Sequence, residues 1–144
     1  MIENDTIRLL RECSSGAEMG ARSIGDILDK VEDRQLKSIL SSSRDAHKKI
    51  EHETKALLNS YGDQTKDPPA FAKMMSKFTT DMKTAFDPGD DKAADLITQG
   101  CNMGVKTLNK YLNDFKAADE RSKSIAKQLI TEEERLCEDI KGYL

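Results

Sequence analysis

The chain has 144 residues and a net charge of −3, with 34% charged residues, 5% aromatic residues and no tryptophan. This length suits one domain with a single core. The 23 basic and 26 acidic side chains form no basic stripe, which argues against nucleic-acid binding, and no apolar run approaches the ~18 residues of a membrane span.

Residues 4–60 have the apolar spacing of a helical hairpin. The first helix is predicted to begin at an N-terminal cap and to run to about Val31. The apolar stripe then loses its phase, which indicates a tight turn around Glu32-Asp33 rather than one continuous helix. The second helix is predicted to end near Gly62.

The stretch 59–90 is too long for a plain loop and is predicted to contain a helix of its own over 69–86, bounded by proline and glycine. This crossover helix carries one Met/Phe stripe, and that stripe has two interpretations. It covers the side or end of its own bundle, or it forms a docking face for a partner. The stripe consists of Phe71, Met74, Met75, Phe78, Met82 and Phe86.

Residues 90–144 are predicted to form a second hairpin. Its first helix opens at Asp90 or Asp91, where acidic side chains favour a helix start. No Gly, Pro or phase break separates the two helices of this hairpin, so the turn near Ala117–Glu120 is predicted from the repeat described next.

The two hairpins share a motif, because the segment Gly16–Ile24 recurs as Gly100–Leu108 at an offset of 84 residues. Two glycines four residues apart lie on one face of a helix and, because they lack Cβ, let another backbone approach closely. We therefore expect a helix-contact motif, either between the first and third helices, at a homodimer seam, or beside a space for a ligand. Its identical residues are Gly16, Met19, Gly20, Gly100, Met103 and Gly104.

Two duplicated hairpins joined by a long connection resemble the ferritin-like superfamily, and in particular uncharacterised bacterial families that keep this bundle. The resemblance implies an all-α four-helix bundle with a crossover helix. Its di-iron members would carry Glu-x-x-His on the second and fourth helices. Here Arg44 and Lys49 precede His47 and His52 by three residues, and the fourth helix has no histidine. We therefore expect no di-iron centre.

Two ionisable residues interrupt otherwise apolar stripes at positions equivalent under an offset of 86 residues, namely His47 and Glu133. A buried ionisable group is costly unless it is paired or bound to a metal. One interpretation is a His–Glu hydrogen bond, or a side chain turned toward the end of the bundle. A second is a reduced metal site with His47, Glu133 and Glu18 as ligands for a single Fe, Mn or Zn ion. A third is that one stripe is misphased and the ionisable group is solvated. His52, five residues from His47, is expected to face solvent.

The favoured function is a non-catalytic binding or assembly module that forms a homo-oligomer, most simply a dimer. The alternative is a degenerate metal-binding protein for metal storage or oxidoreduction. The three cysteines form no C-x-x-C pair and are expected to be small buried apolar residues. With no signal-peptide pattern, a cytoplasmic protein without a membrane or nucleic-acid partner is expected.

Overall fold

The computed structural model describes residues 4–62 and 89–144. These residues form an all-α bundle with no β-strand in the two ranges. The predicted crossover helix 69–86 lies outside the described residues. The helices are α1 (Asn4–Leu28), α2 (Arg34–Ser60), α3 (Gly89–Asp114) and α4 (Glu120–Ile140), followed by a short 3₁₀ turn, Lys141–Tyr143.

The helix boundaries lie close to those predicted from the sequence, with one difference at the end of α1. This helix ends at Leu28 rather than near Val31. The amides of Lys30 and Val31 bond to carbonyls three residues back, at 3.0 and 3.3 Å. Such bonds tighten the backbone into a 3₁₀-type turn, and the chain then reaches the start of α2 directly.

An aspartate caps the second helix of each hairpin. The Asp33 carboxylate accepts from the amide of Leu36 at 2.8 Å, and the Asp119 carboxylate accepts from the amide of Ser122 at the same distance. Each cap satisfies an amide that has no partner within its helix. The two caps are equivalent under the predicted offset of 86 residues.

Each interhelical turn is bonded to the first helix of the other hairpin. The Asp90 carboxylate, at the start of α3, accepts from the amides of Glu32 and Asp33 at 2.9 and 3.0 Å. At the opposite end, Thr6 Oγ1 accepts from the Asp119 amide at 2.8 Å. The α3 start therefore lies at the α1–α2 turn, and the α1 start lies at the α3–α4 turn.

These contacts fix the direction of every helix. If α1 runs up, α2 runs down, α3 also runs down and α4 runs up. Consequently α2 ends and α3 begins at opposite ends of the bundle. The order is up-down-down-up, one of the arrangements that a four-helix bundle with a long crossover adopts.

The core lies along the inner stripes of all four helices and consists mainly of Leu, Ile and Ala. Burial of these apolar side chains is the main stabilising contribution to the fold. Leu10, Ala17 and Ile24 of α1 and Leu36 and Leu40 of α2 are all buried, as their spacing predicts. None of the helices in 4–62 and 89–144 is long and apolar enough to cross a membrane.

Candidate functional site

The most distinctive polar contact of the core joins α2 to α4. Nε2 of His47 is hydrogen-bonded to Oε1 of Glu133, and the two residues are 1% and 8% exposed. The other ring nitrogen, Nδ1, lies 2.7 Å from the main-chain carbonyl oxygen of Ser43, one turn earlier on α2. Both ring nitrogens are therefore engaged, and the interpretation of these residues as a hydrogen-bonded pair matches the structure.

The partners of His47 determine where its protons lie. A carbonyl oxygen only accepts, so Nδ1 carries a hydrogen and donates it to Ser43. Burial alone lowers the pKa of the imidazole, but the hydrogen bond with Glu133, the charge of that carboxylate and the Ser43 carbonyl outweigh burial, and the pKa is raised above its ordinary 6.5. The pair therefore holds a proton between Nε2 of His47 and Oε1 of Glu133, and each side chain is the buried partner of the other.

Two of the motif glycines lie against this pair. A Cβ placed on Gly20 of α1 would lie 2.5 Å from Cδ2 and 2.8 Å from Nε2 of His47. A Cβ placed on Gly104 of α3 would lie 3.5 Å from both Cδ and Oε2 of Glu133. The glycine in each first helix therefore accommodates the ionisable side chain of its own hairpin's second helix.

The sequence predicted a contact between the first and third helices at these glycines. The atoms nearest to an added Cβ belong instead to α2 at Gly20 and to α4 at Gly104. Gly16 and Gly100 line a cavity beside the pair, while Met19 and Met103 are partly buried against the core. The contact role proposed for these four residues stays a prediction. Periodicity placed the glycines on the inner face, but it did not identify the side chains opposite them.

A thiol adjoins the carboxylate of the pair. Burial, followed by the charge and hydrogen bond of Glu133, raises the pKa of the Cys101 thiol far above its ordinary value. Burial and then the charge of Glu12 raise the pKa of Cys13 to about 12. Both thiols therefore stay protonated and behave as buried apolar groups. Cys137 is half-buried, and all three cysteines are free.

Glu18, the third candidate ligand, lies apart from the pair. Its side chain is 41% exposed, and its carboxylate oxygens lie 3.2 Å from Nη2 of Arg22 and 3.9 Å from Nζ of Lys55. His52 is exposed on α2, as predicted. The structure brings His47 and Glu133 together but leaves Glu18 at the surface.

These positions test whether the site fits the metal that a ferritin-like fold implies. Transition-metal sites use several imidazole, thiolate or carboxylate ligands around one point. In residues 4–62 and 89–144, no group of three or more His, Cys, Asp or Glu side chains is arranged to hold a metal ion. Of the three predicted ligands, only His47 and Glu133 lie together in the described residues.

Sequence reasoning missed three contributors to this site. The Ser43 carbonyl follows from helix geometry, since it lies four residues before His47. The proximity of Cys101 to Glu133 had a weaker signal, because both lie on inner stripes of adjacent helices. Ser23, which lines the same cavity, had no signal beyond its spacing of three residues from Gly20.

The fold and site define an all-α bundle with a buried His–Glu pair between its second and fourth helices. The chain belongs to the family described as Domain of unknown function (DUF2383), which matches residues 5–114. The matched part contains His47 and both glycine pairs and ends with α3. No curated protein matches the chain.

One solved structure is similar over nearly the whole chain. It is described as the crystal structure of a DUF305 fragment from Deinococcus radiodurans. The two structures have a TM-score of 0.75, and the similarity covers 98% of this chain and 95% of that chain at 12% sequence identity. At this identity the likeness concerns the fold alone.

Proposed function

We propose that the protein is a ferritin-like four-helix bundle, built from a duplicated hairpin, that serves as a non-catalytic binding or assembly module in the cytoplasm. The up-down-down-up order supports the ferritin-like assignment. The matching Asp33 and Asp119 caps and the reciprocal bonds between the turns support duplication.

The observation that carries the proposal is the closed His47–Glu133 pair. In a ferritin-like bundle, the middle of the core is where functional side chains project inward. Here the two inward side chains satisfy each other, and Nδ1 of His47 is held by the Ser43 carbonyl. A ligand that took either side chain would leave the other charged and unpaired in the core, which costs about 3–5 kcal/mol. The pair therefore resists being opened by a ligand, and activity is assigned to the surface.

The surface proposal includes self-association, most simply as a dimer. The outer faces of the helices are rich in charged side chains. Among the described residues Leu144 is the one large hydrophobic side chain that is exposed, so an interface between two copies would be mainly polar. The proposed dimer interface is accordingly polar at its rim and sensitive to ionic strength.

Light scattering after size exclusion tests self-association directly. Metal-free protein should elute with twice the monomer mass at micromolar concentration and should dissociate on dilution or at high salt. A monomer at every concentration would contradict the assembly role. Stoichiometric metal that is required for the dimer would contradict the metal-free form of the proposal.

A second candidate function, single-ion metal binding, has one observation in its favour. His47 and Glu133 come from different helices and meet beside Cys101, so an imidazole and a carboxylate already converge. Against it stands Glu18, which pairs with Arg22 at the surface. Fe, Mn and Zn remain the candidate ions.

Aerobic addition of Fe(II), with absorbance and oxygen uptake followed together, separates the two functions. The non-catalytic proposal predicts oxidation at the buffer rate for wild type, His47→Leu and Glu18→Gln alike. Glu18→Gln removes the third predicted ligand without disturbing the core, because Glu18 pairs with Arg22 at the surface. Rapid oxidation by wild type that is lost in His47→Leu would overturn the proposal, and its loss or retention in Glu18→Gln would show whether Glu18 belongs to the metal site.

A further inference from the structure

A small cavity of about 30 Å³ lies in the middle of the bundle beside the His47–Glu133 pair. Its walls include the four motif glycines, two from α1 and two from α3. Since glycine has no side chain, the walls at these positions are formed by the backbone. Added Cβ atoms at Gly20 and Gly104 would point toward the buried pair.

An unsatisfied hydroxyl also lines this cavity. Ser23 is 5% exposed, and its Oγ is buried with no hydrogen-bond partner among the residues that the structure describes. Buried hydroxyls in folded proteins are almost always hydrogen-bonded, to protein or to an ordered small molecule. Ser23 therefore indicates a ligand that can donate or accept a hydrogen bond at this point.

We propose that the cavity is a binding site for a small neutral hydroxyl-bearing molecule, either water or a short alcohol, hydrogen-bonded to Ser23 Oγ and close to the Glu133 carboxylate. This inference goes beyond the proposed surface role and does not depend on self-association. It assigns the paired glycines a second purpose besides making room for His47 and Glu133.

Charge and size define the ligand class. His47 and Glu133 are hydrogen-bonded to each other, so the pair offers neither a cation nor an anion a free opposite charge. Cys101 stays protonated and adds no charge. A cavity needs about 10–15 Å³ of water-accessible volume per water molecule, so the available space holds about two water-sized groups.

A high-resolution crystal structure with matched variants tests the site. Wild type should show an ordered oxygen within hydrogen-bond distance of Ser23 Oγ. Gly104→Ala should remove it, because the added methyl reaches into the cavity and contacts Glu133 at an ordinary 3.5 Å. Ser14→Ala is the matched control, because Ser14 is buried on the same helix but is not a cavity residue, and the oxygen should remain.

Solution NMR distinguishes the two sources. Water alone predicts water-to-protein cross peaks at the amides of Gly20 and Gly104 and no saturable shift with methanol. A short-alcohol site predicts saturable methanol shifts at those amides, absent in Gly104→Ala and retained in Ser14→Ala. A dry cavity with Ser23 Oγ donating to the carbonyl four residues back would overturn the proposal, as would a bound metal ion or anion.

Discussion

The two hairpins place a glycine at the same position of their first helix, but the space beside it differs. At Gly20 a methyl group would lie 2.5 Å from the His47 ring, whereas at Gly104 it would lie 3.5 Å from the Glu133 carboxylate. The first distance is a severe overlap and the second is ordinary van der Waals contact. Identical motif residues thus tolerate different changes, because the side chains opposite them differ in shape.

The largest expected effect comes from removing one member of the pair that the two glycines accommodate. Glu133→Leu leaves the buried His47 ring without its hydrogen-bond partner and should lower the free energy of unfolding by about 3–5 kcal/mol. The double variant His47→Leu/Glu133→Leu should recover most of this loss, because two apolar side chains need no partner. Urea unfolding of both variants measures the difference.

Glu18→Ala is the control for this experiment, since its carboxylate forms only exposed ion pairs. It should change the free energy of unfolding by no more than about 0.5 kcal/mol. If Glu133→Leu cost no more than Glu18→Ala, the buried pair would not be what stabilises the contact between α2 and α4.

The glycines themselves are the next test. Gly20→Ala should destabilise by about 1–3 kcal/mol, because the His47 ring is held at both nitrogens and cannot move aside freely. Gly104→Ala should be neutral or should stabilise by up to ~1 kcal/mol, since alanine favours the helix and the methyl group fits. Thermal unfolding of the two variants side by side gives the comparison.

Equal destabilisation by the two alanines would show that Gly20 and Gly104 are equally tightly packed, which would contradict the distances of 2.5 and 3.5 Å given above. The reverse order, with Gly104→Ala the worse variant, would place the tight contact in the second hairpin.

The stability of the fold should also depend on pH, because His47 belongs to the first hairpin and can change its charge. Its pKa is raised in the folded state, so the fold binds this proton more tightly than the unfolded chain does. The resulting stabilisation is fully present below the unfolded pKa of about 6.5 and is lost as pH rises through the folded pKa. The stability of wild type relative to His47→Leu/Glu133→Leu should therefore decrease as pH rises above about 6.5.

Urea midpoints of both proteins across this range provide the measurement. A difference in stability that is constant with pH would mean that His47 has the same pKa in the folded and unfolded chains.

The smallest expected effect concerns the caps, where the two hairpins are alike. Asp33→Ala and Asp119→Ala should each lower the melting temperature by a few degrees, because each removes an acceptor from one helix-start amide. Differential scanning calorimetry should give similar shifts. A large shift of the melting temperature in only one of the two variants would show that the two caps have the same geometry but contribute differently to stability.

The sequence predicted the four long helices well, because their signals are local. Asp33 lies where the apolar stripe loses phase, and the repeat predicted the second turn near Ala117–Glu120, where the structure places the Asp119 cap. It also predicted that His47 faces the core, because its neighbours Leu40 and Ile50 fix the phase of α2. These properties depend on periodicity and capping, which a single chain displays directly.

The rest of the site depends on arrangements between helices. Glu18 lies close to the inner stripe of α1, and a small helix rotation decides whether it reaches the core or pairs with Arg22. The motif pattern likewise gave the face of Gly20 but not the identity of His47 opposite it. The bond from Asp90 to the first turn required knowing which helix ends meet, and sequence spacing carries no such information.

The reciprocal turn contacts have a consequence for how the molecule opens. The amide of Asp33 is bonded to Asp90 of the second hairpin, and the amide of Asp119 is bonded to Thr6 of the first. Separating the hairpins therefore breaks both bonds at once, although they lie at opposite ends of the bundle. Hydrogen exchange at these two turn amides should report the same cooperative opening of the whole bundle, rather than the local fraying that exposed turns usually show.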